Sequence, residues 1–489
     1  MQQGDTVPDM PPVTDAKTPD CHPLHPVLQD TLHLQRTAYL AHPCPDVNER
    51  RADLLKLKAF VRDHRDAICD AISADYGHRS RHETLFAEIF SVMDGVDYTL
   101  KYLKNWMTPQ RRHVDLKSFF GASNQVIPQP LGVVGVIVPW NFPINLSFNA
   151  LISIFAAGNH AMVKLSENSR HLAKLLIEKS PAYFAPDKLA FFDETGGVGV
   201  AFSKLKFDHL LFTGSGATGR AVMAAASANL CPVTLELGGK SPALVCHDYT
   251  LRKAAERLLF VKYFNAGQIC TTVDHVYLPA DKVDAFTTMA HSIVARRYPT
   301  LDSTDYTAMI DMPAFQRVVG ALTEAAARGA ILMQLIPGPA WDASTRKIAP
   351  HLVLNAPPDC ELLTREIFGP VLPVMAYTDI NEPINAINQG PRPLAFYPFS
   401  NNKRLIHHLI THVMSGGVSV NDGLFHVGQH DLPFGGVGDS GMGHYHGHEG
   451  FITFSKMRPI FTQARWSAVR LLWPPYGLLA SKYLDFLTK

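Results

Sequence analysis

Cys270 ends the stretch FNAGQIC (264–270) and is followed by two threonines. A deprotonated, accessible thiol is a nucleophile, whereas a free cysteine is most often a small buried apolar side chain. The seven cysteines are scattered and form no C-x-x-C pair, which argues against a disulfide framework and against a zinc cluster. We therefore expect reduced thiols in a cytoplasmic protein, with Cys270 either a nucleophile or a buried apolar residue.

The hexapeptide GSGATG (214–219) follows a predicted strand and opens a predicted helix. In that context its glycines would let the backbone approach a pyrophosphate, and the helix N-terminus would supply N–H groups. A tight strand-to-helix turn without a ligand has the same pattern. The usual rule for such motifs assigns the ribose to an acidic residue about twenty positions further on, and Glu236 stands close to that distance.

Two further polar stretches follow buried strands. Lys164 and Glu167 lie in VKLSE at the end of the second predicted strand, where open α/β sheets bind ligands, and they could contact a ribose. The alternative is a helix start in which Ser166 caps and Glu167 favours the helix dipole. Asn141 lies in PWNFP (139–143), where its amide could donate to an oxyanion or hydrogen-bond its own turn.

The elements that would position these residues alternate between strand and helix. Continuous apolar, β-branched runs predict strands buried on both faces of a parallel sheet, at 131–138, 161–165, 189–194, 207–213, 231–237 and 242–247. Upstream, apolar spacings of three and four predict a helix over 54–77 and another over 83–107. This order predicts a doubly wound α/β fold, and the Gly-rich chain beyond about residue 415 is predicted to be irregular.

The bulk composition is that of an ordinary soluble protein. A chain of 489 residues predicts two or more packed units, and a net charge of +1 gives no reason to expect a nucleic-acid partner. The N-terminus lacks the pattern of a signal peptide, and no apolar run is long enough to span a bilayer. The segment 461–489 mixes Trp, Leu and Tyr with Arg and Lys, so it could lie on a membrane surface or pack against protein.

Six motifs, in this order, resemble the aldehyde dehydrogenase superfamily. They are PWNFP (139–143), VKLSE (163–167), FTGSGATG (212–219), LELGGKSP (235–242), FNAGQIC (264–270) and REIFGPVLPV (365–374). The resemblance runs from about residue 30 to 460. Three further stretches resemble the class 3 branch of this superfamily, and within it the bacterial coniferyl aldehyde dehydrogenases. They are DYGHRSRHETLFAEI (75–89), FDHLLFTGS (207–215) and LPFGGVGDSGMGHYHG (432–447).

The resemblance implies a role for each matching residue. Cys270 matches the nucleophile, and Glu236 matches the general base rather than a ribose ligand. Asn141 matches the oxyanion donor, which works together with the backbone N–H of Cys270. The implied cofactor contacts are Lys164 and Glu167 at the adenosine ribose, Ser215 with Gly214 and Gly219 at the pyrophosphate, Glu366 and Phe368 at the nicotinamide ribose and ring, and Trp140.

The implied activity is oxidation of an aldehyde to the carboxylic acid through a cysteine thiohemiacetal and a thioester. NAD is the expected cofactor, with NADP possible, and the expected substrate is a cinnamyl aldehyde such as coniferyl aldehyde or a medium-to-long aliphatic aldehyde. Ile269 and the stretch 271–273 depart from the sequences common in relatives, and they are expected to line the substrate tunnel. An NAD-independent thiol esterase and a catalytically silent scaffold are the alternatives on the same fold.

The resemblance also implies a domain organisation and a homodimer. We expect a flexible tail at 1–22, followed by a Rossmann-type dinucleotide-binding domain at 23–109 and 131–236. An α/β catalytic domain is expected at 237–414, and a bridging and oligomerisation arm at 110–130 and 415–460. An amphipathic C-terminal segment is expected at 461–489. The H-x-H-x-H pattern at 444–448 could bind a metal ion. No cysteine stands near it, so a Gly-rich surface loop without a metal is predicted.

Overall fold

The computed structural model of the protein describes residues 25–115, 119–465 and 467–488. The tail predicted at residues 1–22 lies outside these residues. The α-helices are α1 (His25–Ala41), α2 (Val47–Asp63), α3 (Arg65–Tyr76), α4 (Arg81–Thr84), α5 (Ser91–Trp106), α6 (Pro143–Ala156), α7 (Arg170–Lys179), α8 (Val198–Ser203), α9 (Gly216–Ser227), α10 (Leu251–Tyr263), α11 (Val283–Arg297), α12 (Met312–Ala327), α13 (Glu361–Thr364), α14 (Asn381–Gln389), α15 (Lys403–His412), α16 (Gly447–Thr453) and α17 (Leu478–Leu487).

The β-strands form three larger sheets and one short hairpin. They are β1 (Gln110–Arg112), β2 (Ser123–Pro130), β3 (Val133–Ile137), β4 (His160–Lys164), β5 (Leu189–Phe192), β6 (His209–Gly214), β7 (Val233–Leu237), β8 (Pro242–Val245), β9 (His275–Pro279), β10 (Ile331–Gln334), β11 (Trp341–Asp342), β12 (Lys347–Ile348), β13 (His351–Leu354), β14 (Val371–Tyr377), β15 (Ala395–Phe399), β16 (Gly417–Val418), β17 (Gly441–Met442) and β18 (Ser455–Thr462). The α-helix α4 continues into a π-helical turn at Leu85–Phe90.

A six-stranded sheet has the order β17-β7-β6-β3-β4-β5, and its strands are parallel except for β17. Strand β3 is buried along its whole length because both of its faces are covered. Val134 and Val136 pack with α2 and α6 on one face, while Val133 and Ile137 pack with α1 and α9 on the other. The predicted doubly wound α/β fold is confirmed, and each of the six predicted strands overlaps an observed one.

A seven-stranded sheet, β10-β13-β14-β9-β8-β15-β16, carries the second core. All of its neighbours are parallel except the pair β10 and β13. Helices α10 and α11 pack on one part of this sheet, and α14 and α15 cover another. Helix α10 leads out of this core directly into the stretch that ends at Cys270.

The third sheet joins distant parts of the chain, and it corrects the prediction of an irregular C-terminal region. Strand β18 pairs antiparallel with β2 over eight residues, from Ser455 opposite Pro130 to Thr462 opposite Ser123, and β1 pairs on the other edge of β2. This strand depends on a partner more than 300 positions away in the chain, so its local sequence alone does not predict it.

The helix predicted over 54–77 is interrupted. Helix α2 ends at Asp63, and α3 begins at Arg65, with the backbone of His64 outside the helical range (φ −108°, ψ 15°). The His64 ring packs against Phe60 and Tyr183 at centroid distances of 4.9 and 5.8 Å. Helix α3 then ends at Gly77 (φ 74°), as predicted.

The C-terminal segment contains α17 and presents several large apolar side chains to solvent, namely Trp473, Tyr476, Leu478, Leu479 and Phe486. Within the described residues, none of the helices combines the length and the apolar character that crossing a bilayer requires.

Candidate active site

A cavity opens at the carboxyl ends of the parallel strands of the six-stranded sheet, and we call it the strand-end cavity. The segments 139–141, 167–168, 213–215 and 236–238 that line it end or follow β3, β4, β6 and β7. Loops after parallel strands converge on one edge, which is where open α/β sheets bind ligands. The lining includes most of the predicted site residues: Trp140, Asn141, Glu167, Gly214, Ser215, Glu236, Cys270, Glu366 and Phe368.

Two predicted cofactor residues, Lys164 and Gly219, do not line this cavity. The Lys164 ammonium forms a nearly buried ion pair with Glu194, whose carboxylate also accepts the backbone N–H groups of Gly197 (2.8 Å) and Gly199 (2.9 Å). A Cβ at Gly219 would lie 2.7 Å from a Leu237 methyl, so this glycine allows α9 to pack closely on β7.

The start of α9 faces the strand-end cavity. Ser215 is the N-cap, and its hydroxyl accepts a hydrogen bond from the backbone N–H of Thr218 at 3.2 Å. The other N–H groups of the first turn have no partner inside a helix, and the helix dipole places partial positive charge there. Gly214 and Ser215 at the cavity wall therefore suit a phosphate group.

Glu236 and Glu366 bring buried carboxyl groups into the same cavity. Glu236, on β7, is only 2% exposed, and both of its carboxyl oxygens lack a hydrogen-bond partner among the described residues. Burial raises its pKa well above the usual range. Burial, followed by the charge of Asp274, raises the pKa of Glu366 to about 8, and its Oε1 also has no partner in the described chain.

The dinucleotide that the sequence predicts fits these groups. Buried acceptors without partners cost free energy unless a ligand or water satisfies them, and ribose hydroxyls are suitable donors. Gly238 leaves room for the Glu366 carboxylate, since a Cβ there would collide with it. Phe368 adopts a left-handed backbone (φ 46°), and its ring meets Trp140 edge-on at 5.5 Å, which forms an apolar wall beside Glu366.

The loop before Cys270 has an unusual backbone. Asn265, Ala266 and Gly267 are all left-handed, with φ of 51°, 50° and 75°. The Gln268 side chain supports this loop by donating to the carbonyl oxygens of Asn265 and Ala308, at 3.0 Å each, and by accepting the N–H of Ile310 at 3.0 Å. Such strain persists only where the surroundings hold it, and it is common at functional sites.

Cys270 is partly buried. Burial raises its pKa to about 12, and the nearby carboxyl groups of Glu366 and Glu236 act in the same direction. Asn141 lies close by: it is 3% exposed, its Nδ2 donates to the carbonyl of Gln268 at 3.4 Å, and its Oδ1 has no partner in the part of the chain that the structure describes. The amide thus retains donor capacity beside the thiol.

A second cavity also reaches Cys270, and we call it the aromatic cavity. Cys270 is the one described residue that lines both cavities. The lining of the aromatic cavity contains six phenylalanines: Phe86, Phe90, Phe142, Phe264, Phe425 and Phe434. Ile269 and Thr271 line it as predicted, whereas Thr272 and Val273 are buried away from it.

Several polar groups interrupt the aromatic wall. His430 Nε2 lies 3.0 Å from Asp94 Oδ2, and both residues line the cavity. His446 also lines it, packs on Phe434 at 5.4 Å, and has no hydrogen-bond partner for either ring nitrogen among the described residues. Burial lowers the pKa of His446 to about 3, so its ring is neutral and offers one donor and one acceptor.

The structure corrects the predicted surface loop at 444–448. Tyr445 and His446 are both buried. Tyr445 exchanges two 2.9 Å backbone hydrogen bonds with Phe434, and the side chains of Tyr445 and Phe434 pack in the core. In the described ranges, no group of three or more His, Cys, Asp or Glu side chains is arranged to hold a metal ion. The cysteines described, including Cys270, are all free thiols.

Comparison with known proteins agrees with this geometry. Residues 37–460 match the sequence profile of the aldehyde dehydrogenase family. A Pseudomonas aeruginosa protein named "Probable coniferyl aldehyde dehydrogenase" is 46% identical over 444 residues, which are 91% of this chain and 92% of that protein. A rat protein named "Aldehyde dehydrogenase, dimeric NADP-preferring" is 36% identical over 442 residues, covering 88% of this chain and 93% of the relative.

The architecture also matches a solved structure. The substrate-bound state of Staphylococcus aureus AldH superposes with a TM-score of 0.88 at 30% sequence identity, covering 94% of this chain and 99% of that one.

Proposed function

The chain belongs to the aldehyde dehydrogenase family, NAD(P)-dependent enzymes that oxidise aldehydes, and on that premise we propose that Cys270 is its nucleophile, Glu236 its general base and Asn141 its oxyanion donor. The observation that carries the proposal is the position of Cys270, where the strand-end cavity meets the aromatic cavity. A thiol at that junction can reach a cofactor on one side and an aldehyde on the other. The silent scaffold and the thiol esterase are not favoured, because Cys270, Glu236 and Asn141 are all present and the chain matches the aldehyde dehydrogenase family over residues 37–460.

The first step that we propose is attack by the Cys270 thiolate. A bond forms between Sγ and the aldehyde carbon, and the electron pair of the carbonyl π-bond moves to oxygen. Asn141 Nδ2 and the backbone N–H of Cys270 donate to this oxyanion. Removing one such donor typically costs a factor of about 10²–10³ in turnover.

Oxidation requires the cofactor. When bound, the oxidised nicotinamide would supply a hydride acceptor for the former aldehyde carbon, and its positive charge would favour the thiolate of Cys270. The residues that would hold it are Glu366 and Phe368 at one end of the strand-end cavity and Ser215 and Glu167 further along it. The product at Cys270 is a thioester.

Glu236 completes the cycle in this proposal. Its carboxylate takes a proton from a water molecule, and the hydroxide attacks the thioester carbon and releases the carboxylic acid and the Cys270 thiolate. The carboxyl oxygens of Glu236 have no other partner among the described residues, so they are available for that water. A carboxyl group with a raised pKa is also a stronger base once it has lost its proton.

NAD is the preferred cofactor in our proposal. Glu167 lines the strand-end cavity, where a carboxylate would bond ribose hydroxyls and repel a 2′-phosphate. Lys164, the cation that could pair with such a phosphate, is already held by Glu194. The rat relative is named NADP-preferring, so we expect NADP to be accepted, but less well than NAD.

A cinnamyl aldehyde, such as coniferyl aldehyde, is the substrate that we propose, in line with the name of the Pseudomonas relative. Flat phenylalanine walls suit an aromatic ring, and aromatic pairs gain about 0.5–1.5 kcal/mol beyond simple area burial. His430 and His446 could meet the ring oxygens of such a substrate within the same cavity. A medium-to-long aliphatic aldehyde would leave both ring nitrogens of His446 without a partner.

The test is to mix the purified protein with NAD or NADP and a panel of aliphatic, benzylic and cinnamyl aldehydes, and to follow reduced cofactor by fluorescence. We expect reduction with NAD and the highest kcat/KM for cinnamyl aldehydes.

The comparison variant is Glu194→Gln, which releases Lys164. It should raise kcat/KM for NADP relative to NAD by about tenfold, the equivalent of about 1.4 kcal/mol from one new charge-assisted contact to phosphate.

The panel separates the possible outcomes. Reduction that is fastest with aliphatic aldehydes would contradict the aromatic substrate but keep the chemistry. No reduction with any aldehyde by a folded protein would favour the silent scaffold, and ester hydrolysis in the absence of cofactor would favour the esterase.

We also propose a cytoplasmic homodimer. The rat relative is named dimeric, and the three-stranded sheet of this chain exposes the apolar side chain of Phe461, which a second subunit could cover. Sedimentation velocity should give the mass of two chains.

We propose that the C-terminal segment is a subunit contact rather than a membrane contact. Co-flotation of the protein with phospholipid vesicles would contradict that assignment.

A further inference from the structure

The stretch DYGHRSRHETLFAEI (75–89) contains buried polar side chains that the proposed chemistry does not use. Tyr76, Arg79 and Glu88 are all but inaccessible to solvent. In the part of the chain that the structure describes, none of them lines the strand-end or the aromatic cavity. They therefore cannot touch a bound substrate, and any role in the reaction must pass through another residue.

Arg79 and Tyr76 both donate to the main-chain carbonyl of Asn141. The Arg79 Nη1 lies 2.9 Å from this oxygen, and the Tyr76 hydroxyl lies 3.2 Å from it. The guanidinium carbon is 5.1 Å from the centre of the Tyr76 ring and 4.8 Å from that of Phe142. The position of the guanidinium is thus fixed by two rings as well as by its hydrogen bonds.

Glu88 fixes the chain that follows Asn141. Its Oε1 accepts from Arg79 Nη1 at 3.0 Å, and its Oε2 accepts the backbone N–H groups of Ile144 (2.9 Å) and Asn145 (2.8 Å). These N–H groups belong to the first turn of α6, which begins two residues after Asn141. The ion pair therefore holds the carbonyl of the oxyanion donor itself and the helical turn that follows it.

The Asn141 amide depends on this backbone for its direction. Its only hydrogen bond within the described residues is the 3.4 Å contact from Nδ2 to Gln268, and its Oδ1 has none. The Tyr76 hydroxyl also accepts from Asn265 Nδ2 at 3.2 Å, so it joins the Asn141 turn to the loop that carries Cys270. A shift of either backbone would change the distance between the amide and the thiol.

A buried ion pair of this kind is poorly explained by stability. Replacing such a pair with well-packed apolar residues is often neutral or stabilising, because desolvation of the two charges offsets their attraction. Arg79 also leaves Nε and Nη2 without partners among the described residues, which adds to that cost. Geometric precision at Asn141 is what the pair provides.

We propose that Arg79 and Tyr76 are positioning residues that aim the Asn141 amide at the oxyanion formed on the Cys270 adduct. The inference rests on the proposed roles of Asn141 and Cys270. A misplacement of about 1 Å in a reacting geometry can cost about 10²-fold in rate, so small changes at Arg79 should be visible in kcat.

The test is a double-mutant cycle between Arg79→Lys and Asn141→Ala. Arg79→Lys keeps the charge beside Glu88 but cannot reproduce the guanidinium geometry, so we expect kcat to fall about tenfold with KM nearly unchanged. In the Asn141→Ala background the same change should have almost no further effect, because the group that it positions is gone. Tyr76→Phe, which removes one of the two donors, should lower kcat less.

Arg50→Lys is the matched control. Arg50 is also a buried guanidinium, and it donates to the carbonyl oxygens of Pro45 and Ala156 at 2.9 Å each, away from both cavities. This variant should lose thermal stability comparably and keep wild-type kcat.

The proposal is overturned if Arg79→Lys lowers kcat equally in the wild-type and Asn141→Ala backgrounds, or if Arg50→Lys loses as much turnover as Arg79→Lys. It is also overturned if both Arg79→Lys and Tyr76→Phe turn over normally while Asn141→Ala is impaired. A wild-type chain that reduces no cofactor is a different result, since it contradicts the proposed function itself.

Discussion

Cys270→Ala is expected to abolish cofactor reduction with every aldehyde of the panel, lowering kcat/KM by at least about 10⁴-fold. An alanine cannot form the bond to the aldehyde carbon, so no oxyanion arises and no hydride can leave. Both cavities remain in the variant, and it should still bind NAD. Cofactor fluorescence should show neither a first turnover nor a steady-state rate.

Cys246→Ala is the matched control for this loss. Cys246 is a buried cysteine whose pKa burial raises to about 12, as it does for Cys270, and it packs in an apolar cluster with Tyr377 and Leu409. It lines neither cavity, so its replacement should leave kcat unchanged even if the protein melts at a lower temperature. Retention of wild-type turnover by Cys270→Ala would contradict the nucleophile assignment.

Local motifs indicated the site because its residues come from loops at strand ends. Asn141, Glu236 and Ser215 each follow or end a strand whose apolar run is recognisable in the sequence, and parallel strands bring such loops together. Lys164 was placed correctly on β4, but its engagement by Glu194 depends on a loop thirty positions away. The spacing rule predicts a ribose contact for Glu236 and the resemblance predicts a general base, because the rule considers only distance along the chain and ignores which strand the residue occupies.

The aromatic cavity could not have been predicted in this way. Its walls come from the helical stretch that leads into α5, from the turn at Phe142, from the loop around Cys270 and from the chain between residues 424 and 446. Phenylalanines in amphipathic helices usually pack in a core, so nothing local distinguishes Phe86 from a core residue. Strand β18 and the contacts of Arg79 could not be predicted from local sequence either, because their partners are distant along the chain.

Glu236→Gln is expected to separate the two halves of the reaction. Glutamine has nearly the same shape but cannot accept a proton from water, so the thioester should form and then persist. Steady-state turnover should fall by about 10²–10⁴-fold, the usual contribution of a general base. A rapid burst of about one reduced cofactor per active site should precede it, and intact-protein mass spectrometry should detect the acyl group on Cys270.

Thioester formation, seen as the burst, and thioester hydrolysis should depend on pH through different groups, Cys270 and Glu236. Burial raises the pKa of Glu236 well above its usual range, so the carboxylate that serves as base accumulates only as the pH rises. Hydrolysis by the wild-type enzyme should therefore accelerate with pH, and Glu236→Gln should lack this increase. Burial also raises the pKa of Cys270 to about 12, so the burst rate should still rise with pH in the variant.

Hydroxylamine provides the decisive control for Glu236→Gln. It attacks thioesters without help from a base, so it should restore multiple turnovers to this variant and leave Cys270→Ala inactive. If the variant lost the burst as well as the steady-state rate, and hydroxylamine did not rescue it, Glu236 would be acting before the thioester forms. Its proximity to the thiol would then be the relevant feature, because the Glu236 charge already contributes to the raised pKa of Cys270. A burst followed by rescue requires instead that the thiol, the oxyanion donor and the cofactor site all function without Glu236, and that water activation is its only task.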